Sequence, residues 1–249
     1  MRTNAILILL SFISIFLTSC GPSELSETGI GDLGLIRANI SVNQDLLAEG
    51  KGYVVASLDD PKGREIRNDS IKILVNDKLL NFHVIQGLYY TSNSVYVLEE
   101  VMPENHRYKV DIVLSNGKRY HLAEIPALKV SAAPEIIYNE KPDLNSDFTI
   151  QWKGLADVNL LNIGRSVKLR KSEGPNITTY AEQSGDTIKV NQTGSHVIPI
   201  SKLSDTTGTV SILSLDFIAE KHGVLNRNLF KGSSAVIVGK IERTAHFKE

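Results

Sequence analysis

The 249-residue chain contains one cysteine, one tryptophan and two methionines, and aromatic side chains make up only 6% of it. A single cysteine excludes an internal disulfide framework and any zinc module built from cysteine pairs. Charge of one sign is also lacking, since 27 Lys and Arg stand against 28 Asp and Glu for a formal net charge of −1. A nucleic-acid footprint needs a basic surplus on some face, so no nucleic acid is expected as a partner. The six histidines form no H-E-x-x-H or H-x-H pair, so neither a metal nor another cofactor is expected. What is present suffices for a folded chain: 42% hydrophobic and 22% charged residues are enough to bury a core. The length accommodates two domains of about 100 residues.

Long apolar runs are missing except at the amino terminus. After Arg2, residues 5–17 are apolar apart from Ser11 and Ser14. A bilayer-spanning helix needs about 20 apolar residues, so this shorter stretch reads as a signal-peptide core. Leu17-Thr18-Ser19-Cys20 follows it and resembles the bacterial lipobox, in which small residues precede an obligatory cysteine. The resemblance implies that residues 1–19 are removed, that the Cys20 thiol carries a diacylglyceryl thioether, and that its freed amine is acylated. Several acyl chains, each contributing about 0.8 kcal/mol per buried methylene, make such an anchor effectively permanent. Gly21 stands where an Asp signals retention at the inner membrane, which implies delivery to the outer membrane. Residues 21–34 (GPSELSETGIGDLG) are rich in Gly, Ser and acids and are predicted to form a flexible tether, with a mean reach of about 20 Å.

Beyond residue 34 the dominant hydrophobic period is two, interrupted by Gly, Asn, Asp and Pro clusters, which predicts antiparallel strands. The runs 35–42, 52–58, 71–75, 79–85, 94–98, 108–114 and 118–125 form a first series. The stretch 131–147 carries two prolines and reads as a boundary with an edge strand. A second series follows at 148–152, 166–170, 186–190, 196–200, 209–217 and 234–241. Only residues 157–165 suggest a turn or two of helix. Asn76-Asp77 and Asn116-Gly117 mark hairpins, the latter predicted as a two-residue loop with positive φ at both positions. On the strand before it, Tyr108, Val110, Ile112 and Leu114 share one face and Lys109, Asp111 and Val113 the other. Phe148, Ile150 and Trp152 likewise share a face, making Trp152 a core anchor.

The fold expected is therefore all-β, with two tandem antiparallel β-sandwich domains over residues 35–130 and 131–249. FTIQW (148–152) is similar to the Trp-bearing strand near the start of fibronectin type III domains. MPENHRYKVDIVLSNGKRY (102–120) resembles the Tyr-led strand and following hairpin of the same family. The likeness implies immunoglobulin-like or fibronectin type III-like sandwiches, which act as spacers, binding platforms or both.

Motifs with chemical meaning were weighed against their structural alternatives. Gly29-Ile30-Gly31-Asp32-Leu33-Gly34 matches G-x-G-x-x-G, yet no strand precedes it and no helix is predicted after it, so it is a glycine-rich linker. Asp143, Asn145 and Asp147 give D-x-N-x-D, but Phe148 and Gly154 occupy the positions where an EF-hand needs Gly and Glu. A looser oxygen site using Glu135 or Glu140 is weaker than a polar turn entering the 148–152 strand. Asp69-Ser70-Ile71, Asp186-Thr187-Ile188 and Asp205-Thr206-Thr207 resemble an O-glycosylation acceptor of exported bacterial proteins. Tyr89 and Tyr90 are adjacent, so one ring points outward in an extended segment and offers a ligand surface.

No G-x-S-x-G elbow or facing carboxylate pair is evident. The expectation is a non-enzymatic, lipid-anchored envelope protein that binds another envelope protein, a glycan or a peptide. The alternatives are a glycan- or peptide-processing enzyme and a pure spacer.

Overall fold

The computed structural model describes residues 22–47, 51–86, 92–131, 133–171 and 177–248. The lipobox residues Leu17, Thr18, Ser19 and Cys20, and the pair Tyr89 and Tyr90, lie outside the described residues. The protein is all-β, built from several open sheets. In chain order the first strands are β1 (Arg37–Gln44), β2 (Gly52–Asp59), β3 (Lys72–Val75), β4 (Lys78–Leu79), β5 (Asn81–Gln86), β6 (Ser92–Val101), β7 (Arg107–Val113) and β8 (Arg119–Pro126). They are followed by β9 (Glu135–Ile137), β10 (Phe148–Lys153), β11 (Leu160–Leu169), β12 (Tyr180–Lys189), β13 (Gly194–Ile198), β14 (Gly208–His222), β15 (Val224–Leu225) and β16 (Ser234–His246). Every run predicted from period two overlaps one of these strands.

Two compact units share the chain, and they are not consecutive halves. The first takes the described residues through Val42, then Tyr53–Ile125 and His222–Val236. The second takes Asn43–Gly52, Pro126–Lys221 and Ile237–Glu249. In the first unit the strands run β1-β2-β6-β5 in one sheet and β15-β8-β7-β3-β4 in the other. The returning segment 222–236 is held there by backbone pairing of Val224 with Glu124 and by Phe230 N–H donating to Ile36 O at 2.9 Å. In the second unit the orders are β12-β11-β14-β16 and β13-β10-β9. Trp152 on β10 meets Phe217 on β14 edge to face, with ring centroids 5.6 Å apart, so these two sheets share a core.

The face assignments hold at atomic detail. Tyr108, Val110, Ile112 and Leu114 are all at most 1% exposed, and burial pushes the Tyr108 hydroxyl up to about 12. Phe148, Ile150 and Trp152 are buried, whereas Thr149, Gln151 and Lys153 face outward.

Three expectations need correction. Residues 157–165 contain no helix: β11 begins at Leu160, and Leu161, Ile163 and Val167 alternate into the core, so period two governs the segment. The Asn116-Gly117 hairpin is not a two-residue loop, because only Gly117 has positive φ (78°). Its amide closes a turn onto Leu114 O at 2.8 Å, and Leu114 N–H donates to Lys118 O, so Gly117 sits at a bulge. The two-residue loop with positive φ at both positions is Asn76-Asp77 (49° and 59°), as it is at Asn105-His106. Asn and Asp tolerate the left-handed region better than most side chains.

The third correction concerns the tether. Residues 22–34 are not free; they are built into the first unit. Ser23 N–H donates to Glu65 O (2.8 Å) and Ser23 Oγ donates to Asp60 Oδ2 (2.8 Å). Arg67 N–H donates to Ser26 Oγ, and Ile30 N–H to Ser115 Oγ. Ile30 and Leu33 are 1% and 3% exposed. The G-x-G-x-x-G run thus supplies two core residues, Ile30 and, on a 3-10 turn (Leu33–Leu35), Leu33, with Asp32 Oδ1 accepting from Gly34 N–H. Composition concealed this because the attachment uses backbone amides and small hydroxyls, with only two bulky anchors.

Ile30→Ala is expected to lower the stability of the protein by about 2–4 kcal/mol in urea denaturation followed by circular dichroism. A free tether would leave the midpoint unchanged.

Candidate binding site

A concavity of about 390 Å³ lies on the second unit. Its walls come from the three strands of one small sheet. Phe148 to Trp152 on β10 pair with Ile198 to Gly194 on β13, and Gln151, Trp152 and Lys153 pair with Ile137, Ile136 and Glu135 on β9. Side chains alternate, so Gln151 and Lys153 point out on the same face as Ile137, Glu135 and Ser195. Ile137 is 59% exposed and gives the site an apolar contact. Around it stand an amide, a cation, a carboxylate and the hydroxyls of Thr193 and Ser195.

The back of the site is set by packing. Trp152 is 5% exposed, its indole N–H donates to Asn191 O at 2.8 Å, and its ring lies across Gly194. A Cβ at Gly194 would sit 2.7 Å from the indole, closer than carbon atoms approach. Glycine there lets the edge strand pass over the ring.

A second cluster lies in the first unit, around the buried carboxylate of Asp111. Arg119 Nε donates to it at 3.0 Å, Lys109 Nζ lies 3.3 Å away, and His121 Nδ1 is at 3.1 Å. Burial raises its pKa, but the hydrogen bonds from Arg119 and His121 and the charge of Lys109 outweigh this and hold it below the usual value. An aspartate on a histidine ring is two-thirds of a hydrolytic triad. Among the described residues no Ser, Thr or Cys donates a hydrogen bond to His121, and Arg119 also bonds Asp77, so the group forms an ion cluster on a sheet surface.

The other sequence candidates resolve locally. Asp147 Oδ1 accepts from Ile200 N–H at 2.8 Å and Asp143 lies 3.8 Å from Lys248 Nζ, so the D-x-N-x-D segment serves as a polar turn. No group of three or more His, Cys, Asp or Glu that could hold a metal occurs among the described residues. Asp205 Oδ1 accepts from the amides of Thr207 and Gly208, giving this acceptor-like triplet a turn-forming role. The alternation in FTIQW put Phe148, Ile150 and Trp152 on one face, which leaves Gln151 on the other. The rest of the pocket depends on which segments pair with β10, and strand periodicity does not report that. No protein-family profile and no curated protein matches the chain.

Two outcomes follow from this geometry. Gly194→Ala is expected to cost about 1–3 kcal/mol and to shift the emission of the sole tryptophan. Asp111→Asn is expected to cost about 1–2 kcal/mol at neutral pH by stranding three basic partners. Because the folded pKa of Asp111 is depressed, its stabilisation is present above the unfolded value near 4 and is lost as pH falls through the folded value. The stability difference between wild type and Asp111→Asn should therefore shrink below pH 4 in denaturant melts.

Proposed function

We propose that the protein is a lipid-anchored component of the bacterial cell envelope that binds a glycan or an extended peptide of another envelope protein, without catalysing a reaction. The lipobox-like Leu17-Thr18-Ser19-Cys20 supports attachment through Cys20 to the outer membrane. Strand order supports an immunoglobulin-like first unit. Lettered A, B, C, C′, D, E, F and G, strands β1 to β8 fall into sheets A-B-E-D and G-F-C-C′, with β15 added beside G. The second unit, lettered from β9 to β14 and then β16, gives A-B-E and G-F-C-C′, the fibronectin type III-like arrangement. In that lettering Trp152 lies on strand B and Tyr108 near the start of strand F, which supports the reading.

The observation that carries the binding reading is the pocket of about 390 Å³ bordered by Ile137, Gln151, Lys153 and Ser195. Its size falls within the usual range for ligand sites, about 300–1,000 Å³, and it combines an apolar contact with a few separated polar groups. Amide and hydroxyl groups beside an exposed aliphatic chain suit hydroxyl- or amide-bearing ligands.

The test uses a photoreactive amino acid in place of Gln151 in cells, with the same residue at the exposed Glu242 as control. A reproducible covalent product from position 151 alone, with a glycan or an envelope protein, is the expected result. Its absence would contradict the binding reading in favour of a spacer, and chemical turnover of the captured molecule would favour an enzyme. Separately, the intact mass should show acyl chains on Cys20, and Cys20→Ser should abolish them and release the protein from membranes.

A further inference from the structure

We infer that one end of the first unit rests directly against the phospholipid headgroups, held there by the shortness of the link between Cys20 and the fold. The inference rests on the proposed acylation of Cys20. Ser23 is already fixed, by its amide on Glu65 O and by its hydroxyl on the buried Asp60. Three residues of fully extended chain from Cys20 to Ser23 span at most about 11 Å. A free segment out to residue 34 would instead allow excursions of about 20 Å and any orientation.

The contacts of residues 22–34 identify which end of the unit faces the lipid. Ser23 meets the Asp60 and Glu65 segment, Ser26 meets Arg67, and Ile30 meets Ser115 at the close of the β7–β8 hairpin. Ser115 Oγ also accepts from Ser70 Oγ, so the 60–70 segment and the 115–118 turn lie at one end. The opposite end carries Glu104, paired with Arg107 where β7 begins. The two ends are separated by the length of β7, about 20 Å.

The chemistry of the near end fits a headgroup layer of no particular charge. Lys62 and Lys118 are exposed there beside Glu24, Glu27 and Asp69. Arg64 is paired with Asp60 and Glu24, and Arg67 with Glu65. Among these described residues the four cations do not exceed the five acids, so position is set by the covalent link, and added salt should not alter it.

The experiment places a fluorophore on the full lipidated protein through Lys62→Cys, Lys118→Cys or Glu104→Cys, the native thiol being acylated. The proteins are reconstituted into phosphatidylcholine vesicles that carry a headgroup-spin-labelled lipid. Labels at 62 and 118 should be quenched at least about threefold more than the label at 104, in keeping with their separation along β7. A fifteen-residue Gly/Ser insertion between Gly21 and Pro22 should erase that difference. Equal quenching at all three positions in protein with a verified acyl mass would overturn the inference while leaving the anchor intact. Protein without an acyl mass would overturn the anchor and the inference together. Loss of quenching at 62 and 118 on adding salt would overturn the charge-independent placement.

Discussion

The carboxylate of Asp60 is the constraint on which the amino-terminal architecture depends. It is 2% exposed, and a bare buried carboxylate would be costly. The cost is offset by four hydrogen bonds: from Ser23 Oγ (2.8 Å), Lys62 N–H (2.8 Å), Arg64 N–H (2.9 Å) and Arg64 Nε (3.0 Å). Burial raises its pKa, and these bonds more than reverse that effect, so the group stays ionised. One charge thereby shapes the turn after β2 and secures Ser23 to the first unit. Ile30 and Leu33 follow into the core, and β1 starts from a fixed position rather than from a loose leader.

The same economy recurs at the pocket of the second unit. Trp152 satisfies its indole N–H on Asn191 O and packs against Phe217 at the back of the concavity. Gly194 accommodates the ring, and the edge strand it belongs to brings Ser195 beside Gln151. Gln151, Lys153, Ile137 and Ser195 of the concavity therefore stand on paired strands whose inward residues are packed. Such placement preorganises polar side chains and limits the ordering cost of binding.

The legibility of the sequence follows from what period two reports. It reveals which face each residue takes, and for β7 and β10 it does so residue by residue, with Asp111 opposite Tyr108 and Val110, and Phe148, Ile150 and Trp152 together. It carries no information on which strand lies next to which. The pairing of β9 and β13 with β10, and so the pocket, had no sequence signal. The return of residues 222–236 to the first unit was hidden for the same reason: β14 and β16 look like any hairpin pair, and the segment between them reads as a loop. Residues 22–34 were misread because small polar residues have the same composition whether they are free or engaged. The Asn116-Gly117 loop shows the limit of turn rules, since the dipeptide marked the hairpin correctly but not its length.

The central claim is that residues 22–34 are part of the folded first unit and not a leash. Hydrogen–deuterium exchange of the protein, read by mass spectrometry over peptides covering residues 22–36, tests it directly. The account predicts protection of the Ser23, Ile30 and Ile36 amides, which donate to Glu65 O, Ser115 Oγ and Leu33 O. Exchange of those amides at the rate of an unstructured peptide, with the strands of the first unit still protected, would contradict it.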